Sequence, residues 1–286
     1  MCLHSTHVDG QDEHLGLGNH WHGNLPSRSL IVLRPERLRA AQPKSMQAES
    51  MIATGGKQVY GAPVGILMLD AQFPRISGDM GNATTWPFPV LYRIVRDASP
   101  DLIVRQGAPD MLEPFIEAGR ELIRQGAEAI TTNCGFLALF QAEMAQALGV
   151  PVATSSLMQV PMVQAMLPAG KRVAILTISK ASLTPRHLLG AGCPTDIAVA
   201  GTEDGTEFTR AILGNELHLD VEASRQDLIN AAKRLTQDHP DTGAIVLECT
   251  NMPPYQADIQ AATGLPVFSI VDYVCWLQSG LRHRTY

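Results

Sequence analysis

Hydrophobic and polar positions divide the chain into short, continuous apolar runs that alternate with segments of helical spacing. Val64–Leu69 is an unbroken apolar run between Pro63 and Asp70, the pattern of a strand buried on both faces of a parallel sheet. Residues 129–132, 150–153, 172–176, 197–200, 244–247 and 267–270 read the same way, and 103–106 is a further candidate strand. Helices are expected from a start near Pro89, over 113–125 closed by Gly126, and over 137–148 closed by Gly149. Five more are expected over 156–167, 208–217, 222–238, 255–262 and 272–281. Strands alternating with helices across tight glycine turns predict parallel sheets covered by helices and joined by right-handed crossovers.

One segment of this pattern occurs twice. Cys134 falls on Cys249, Phe140-Gln141-Ala142 on Tyr255-Gln256-Ala257, Glu143 on Asp258, and Gly149-Val150-Pro151-Val152 on Gly264-Leu265-Pro266-Val267. Such a repeat fixes the architecture. The fold class is therefore α/β, with two pseudo-symmetric parallel-sheet lobes from an internal duplication and the active site in the cleft between them. In open α/β sheets ligands bind outside the carboxyl ends of the strands, and both cysteines sit at such ends.

The 286 residues suffice for one large core or two modest ones, and 45% apolar with 17% charged residues is ordinary for a globular chain. A formal net charge of -6 gives no electrostatic reason to expect nucleic acid or an anionic membrane surface as partner. No apolar run reaches the roughly 18 residues of a membrane span. Five scattered cysteines do not form a disulfide framework, which fits a cytoplasmic setting. Residues 1–60 read as a poorly ordered N-terminal extension, with a short strand at 30–33; His4, His7, His14, His20 and His22 match no closed zinc pattern, so no metal site is expected.

A cysteine just after a buried strand and near a helix N-terminus meets unpaired N–H groups and the positive end of the helix dipole, which favour thiolate. Two such thiols facing each other suit proton abstraction from a carbon on one side and proton return on the other, without a cofactor. If the substrate is a carboxylate, N–H groups and hydroxyls must hold it where charge develops. Asp70, Asn133 and Ser155 at strand ends of the first lobe, and Thr177, Ser179, Thr250 and Asn251 in the second, are the candidates.

The paired cysteines and their surroundings resemble the aspartate/glutamate racemase superfamily over about residues 64–281. The resemblance implies a two-domain protein with one catalytic cysteine from each lobe, here Cys134 and Cys249, and a homodimer. It also implies that the strand near Val267 and the last helix return to the first lobe. The lobes would then be 61–155 plus 266–286, and 156–265 with a linking helix at its start. The motifs depart from the glutamate racemase pattern. Where that family has Cys-Asn-Thr, the chain has Asn133-Cys134-Gly135-Phe136. Where it has Gly-Cys-Thr-His, the chain has Glu248-Cys249-Thr250-Asn251, so Asn251 replaces an assisting histidine. Asp70 matches the family aspartate, but a longer loop follows it, with Arg75 as its only cation and Asp79, Asn82 and Thr85 within reach of the cleft. The implied function is a cofactor-independent racemase of a small amino acid, nominally an acidic one. Alternatives are a hydantoin-type racemase, a maleate-like isomerase, or a non-catalytic small-molecule binding protein on the same fold. The expected substrate-binding set is Asp70, Arg75, Asn133, Gly135, Ser155, Thr177, Ser179, Thr250 and Asn251.

Overall fold

Two four-stranded parallel sheets carry the chain, one per lobe, in the matching orders β2-β1-β3-β4 and β6-β5-β7-β8. The structure, a computed structural model, describes residues 53–282. The strand expected at 30–33 and the histidines of the extension lie outside them. The strands are β1 (Val64–Leu69), β2 (Val90–Val95), β3 (Ala129–Thr132), β4 (Val152–Ala153), β5 (Arg172–Thr177), β6 (Ala198–Gly201), β7 (Thr242–Leu247) and β8 (Val267–Phe268). The helices are α1 (Pro100–Val104), α2 (Leu112–Gln125), α3 (Gln141–Leu148), α4 (Val160–Met166), α5 (Pro185–Gly190), α6 (Phe208–Leu213), α7 (Val221–Asp238), α8 (Gln256–Thr263) and α9 (Ile270–Leu281). The first lobe begins before residue 61, because the Val59 N–H already donates to the Gln125 carbonyl at 2.7 Å.

Alternation along β1 sorts its side chains between two layers. Leu67 and Leu69 join the main core with Phe115 and Leu122 of α2, whereas Val64, Ile66 and Met68 pack with Ile270 and Val274 of α9. The second lobe repeats this plan, with α7 on one face of its sheet and α4 against β5 on the other. Each lobe thus lends its last helix to the other: α4 follows β4 and covers the second sheet, and α9 follows β8 and covers the first.

Three expectations are corrected. The strand near Val267 does not return to the first lobe; β8 pairs with β7, Ile245 opposite Val267, because the exchange happens at the helix and not at the strand. Pro89 opens no helix. It precedes β2, an edge strand in parallel register with β1, whose Val-Leu-Tyr-Arg-Ile-Val sequence suits a pleated, half-exposed surface. Residues 103–106 are not a strand: Ile103 and Val104 end α1, which Ser99 caps by accepting from the Leu102 N–H and which Pro100 opens, and Arg105 is its C-cap. Helix α5, begun by Thr184 and His187 bonded to each other, was not expected at all.

Candidate active site

The central strands end at the same place in both sheets. β3 runs into Asn133-Cys134 and β7 into Glu248-Cys249, each at the point where the chain crosses to the opposite side of its sheet, the usual position for a ligand. Cys134 is extended and caps a 3-10 turn, Gly135–Phe140, that leads into α3. Cys249 precedes the 3-10 turn Pro253–Tyr255 that leads into α8. Both cysteines are 7% exposed and line one small cavity of about 20 Å³. Leu69, Phe73, Val104, Ile178, Ile212 and Leu213 form its apolar wall, and Asn133, Gly135, Glu248, Thr250 and Asn251 its polar end.

Bonds across the two lobes hold this arrangement. The Thr250 hydroxyl donates to the Asn133 carbonyl, and the Ser156 hydroxyl donates to the Leu247 carbonyl. The Asn215 side-chain oxygen of the second lobe accepts from the Gln72 N–H at 2.7 Å, fixing the start of the long loop after β1. That loop delivers Asp79 to the site. Cys249 donates its thiol proton to Asn251 Oδ1 at 3.5 Å, Asn251 Nδ2 donates to Asp79 Oδ2 at 2.6 Å, and Arg75 donates to Asp79 Oδ1 at 3.0 Å. The Asp79 carboxylate settles which way the Asn251 amide faces, because only its NH2 end can donate there. Arg75 also lies 4.5 Å over the Phe73 ring and keeps one buried nitrogen, Nη2, without a partner.

Electrostatics run against the expectation for the thiols. The N–H groups of Phe136 and Leu137 reach the Cys134 sulfur, and that of Asn251 reaches Cys249, all favouring thiolate. Burial outweighs them, and the nearby Glu248 carboxylate adds to it, so both thiols are pushed well up. Glu248 itself is pushed up to about 7, chiefly by burial, against hydrogen bonds from the Thr177 hydroxyl and the Ile178 N–H.

The expected residues divide. Asn133, Gly135, Thr250 and Asn251 line the cavity with the two cysteines. Thr177 stands behind them, donating to Glu248 Oε2 at 2.7 Å, and Ser155 caps the turn at 156–159 beside Gly135. Arg75 acts through Asp79. Asp70 is exposed and accepts from the Asp97 N–H at 3.4 Å, and Ser179 bonds Ser182 at 2.9 Å; neither lines the cavity. Asn82 caps the turn at 83–85 and Thr85 bonds within the loop, so of the three only Asp79 reaches the site. Glu248 was missed. The repeat contained the signal, since the register that superposes the cysteines sets Glu248 on Asn133. Asn133 Oδ1 accepts from the Leu69 N–H at 2.7 Å, as Glu248 Oε2 accepts from Thr177 at the matching strand end, but Glu248 Oε1 has no partner.

Comparisons place the chain among known proteins. Residues 155–277 match the family described as Asp/Glu/Hydantoin racemase. The dimethylsulfoniopropionate lyase of Durusdinium sp. clade D is 32% identical over 219 residues, covering 73% of this chain and 72% of that protein. Dimethylsulfoniopropionate lyase 6 of Emiliania huxleyi (strain CCMP1516) is also 32% identical over 219 residues, but the chain spans only 57% of its length. Among solved structures, a glycine-to-cysteine mutant of arylmalonate decarboxylase in a sulfate-associated form shares the fold, with a TM-score of 0.53 at 19% identity over 78% of this chain and 96% of that one. The chain belongs to the Asp/Glu/hydantoin racemase superfamily and, within it, to the family that includes the Durusdinium lyase.

Proposed function

We propose that the chain is a cysteine enzyme that removes the α-proton of a small carboxylate and eliminates a sulfonium leaving group from the β-carbon, with dimethylsulfoniopropionate as nominal substrate. The observation that carries this reading is the kinship at 32% identity over 219 residues, joined to two buried thiols in one mainly apolar cavity. A thiolate takes the proton, the C–H electrons form the double bond, and the C–S bond breaks with its electron pair on sulfur. Dimethyl sulfide and acrylate are the products, and no oxidant or reductant is needed.

The two thiols differ in a way that supports separate roles. Cys134 receives two backbone N–H groups, which stabilise it as thiolate and suit it as the base. Cys249 donates to an amide oxygen that Asp79 locks in place, so it is held as a thiol and can donate to charge developing at the carboxylate. N–H groups of the turns after each cysteine are the donors suited to the carboxylate.

The second reading is an amino-acid racemase, favoured by the equivalent positions of Cys134 and Cys249 in the repeat. It shares the first step and differs only in returning the proton to the opposite face. The wall favours elimination. An acidic amino acid or a maleate-like diacid would bury a second carboxylate beside Glu248, with no Lys, Arg or His among the described lining residues. The apolar part of the wall, Leu69, Val104 and Ile212, suits the methyls of a dimethylsulfonium group.

Incubation with dimethylsulfoniopropionate, with dimethyl sulfide read in the headspace and acrylate by NMR, tests the proposal. L-aspartate, L-glutamate and hydantoin in deuterated water run alongside. Equal amounts of the two products are expected, and Cys134→Ala or Cys249→Ala lowers turnover by about a hundredfold or more. Loss of an α-proton signal with inversion, and no acrylate, replaces the lyase with the racemase.

A further inference from the structure

Glu248 is 1% exposed and lines the cavity, yet one of its carboxylate oxygens, Oε1, has no hydrogen bond. An unpaired buried anion is costly to keep, and in a binding site that cost is offset when a ligand supplies the missing charge. This oxygen is packed against Gly135. At Gly135 a Cβ would run into Glu248 Oε1 and approach Ser155 Oγ at 3.0 Å, so only glycine leaves the carboxylate its place. No lining residue among those described is cationic. The matching position in the first lobe is the neutral Asn133, so the duplication has put a charge on one side of the cavity alone.

We infer that Glu248 selects the substrate: its free Oε1 faces the positive end of a small carboxylate that carries an onium group, sulfonium or quaternary ammonium. The onium part of this rests on the lyase reading. Such a cation has no N–H or O–H to donate, so it needs a carboxylate oxygen not already bonded and apolar walls for its methyls, and the cavity offers both. The same docking has a second effect. Burial chiefly, and the Glu248 charge after it, push both thiols up, and a cation set against Glu248 cancels its share. The thiols become more acidic when the right substrate is present.

The test uses two uncleavable probes of one shape, the trimethylammonio analogue of propionate and its uncharged tert-butyl isostere. Their binding is measured calorimetrically near pH 8 to the full chain and to Glu248→Gln. The wild type is expected to prefer the onium probe by about tenfold or more. Glu248→Gln loses that preference while its affinity for the tert-butyl probe is unchanged. Equal affinities in the wild type, a preference that survives in Glu248→Gln, or no binding of either probe overturns the inference. The wild-type comparison stands even if the variant fails to fold. Acrylate release is scored separately: onium preference without acrylate sinks the lyase reading alone, and acrylate without onium preference sinks this inference alone.

Discussion

Glu248 carries a consequence for stability as well as for binding. Below about pH 4.5 its carboxyl is protonated in both folded and unfolded chains. As pH rises from about 4.5 to about 7, the unfolded chain ionises while the buried group does not, so folding loses stability through that window and levels off above it. The loss is on the order of a few kcal/mol. Glu248→Gln lacks this titration. Denaturant unfolding at about pH 5 and pH 8 should show the variant gaining on the wild type as pH rises, and a constant difference would contradict the raised value. Residue by residue, the sequence disclosed the two thiols because duplication marked them, and it disclosed Asn133, Gly135, Thr250 and Asn251 because they adjoin the thiols. Asp79 could not be assigned a partner, since its bond to Asn251 spans 172 positions and depends on how a loop without regular structure folds.

Most strands and helices were legible because each is punctuated locally. Gly149 and Gly264 close α3 and α8 at equivalent points of the repeat, both left-handed, with φ of 66° and 68°. Neither has an atom within 4 Å of where a Cβ would stand, so only the backbone resists a side chain. Gly149→Ala and Gly264→Ala should each cost about 1 kcal/mol, nearly the same, in urea unfolding. Gly135→Ala differs in kind, because it meets Glu248 and the Ser155 hydroxyl rather than an unfavourable φ. The misread elements share another cause. Pro89 and Pro100 both lead into apolar stretches; the first directly precedes an edge strand at Val90, and the second opens a helix marked by the Ser99 cap and by Asp101 in its first turn.

At the scale of the whole molecule, the exchange of α4 and α9 makes each sheet depend on the other half of the chain for one of its covers. The sequence pattern alone assigned these helices no partner, since an amphipathic stretch does not state which sheet it will cover. Two lobes with separate cores would unfold separately; here Val64, Ile66 and Met68 lose their cover when Ile270 and Val274 leave. Calorimetric unfolding of residues 54–286 should therefore give one transition, with calorimetric and van't Hoff enthalpies equal, and two resolved peaks would refute the coupling. The loop that Asn215 pins at Gln72 extends this dependence to the cavity. Phe73, next along that loop, lines the cavity and also donates its N–H to Asn215 at 3.3 Å, so one wall of the site in the first lobe is placed by a residue of the second. Asn215→Ala should therefore weaken ligand binding at the cavity while both cysteines stay in place, a reach of one lobe into the other's wall.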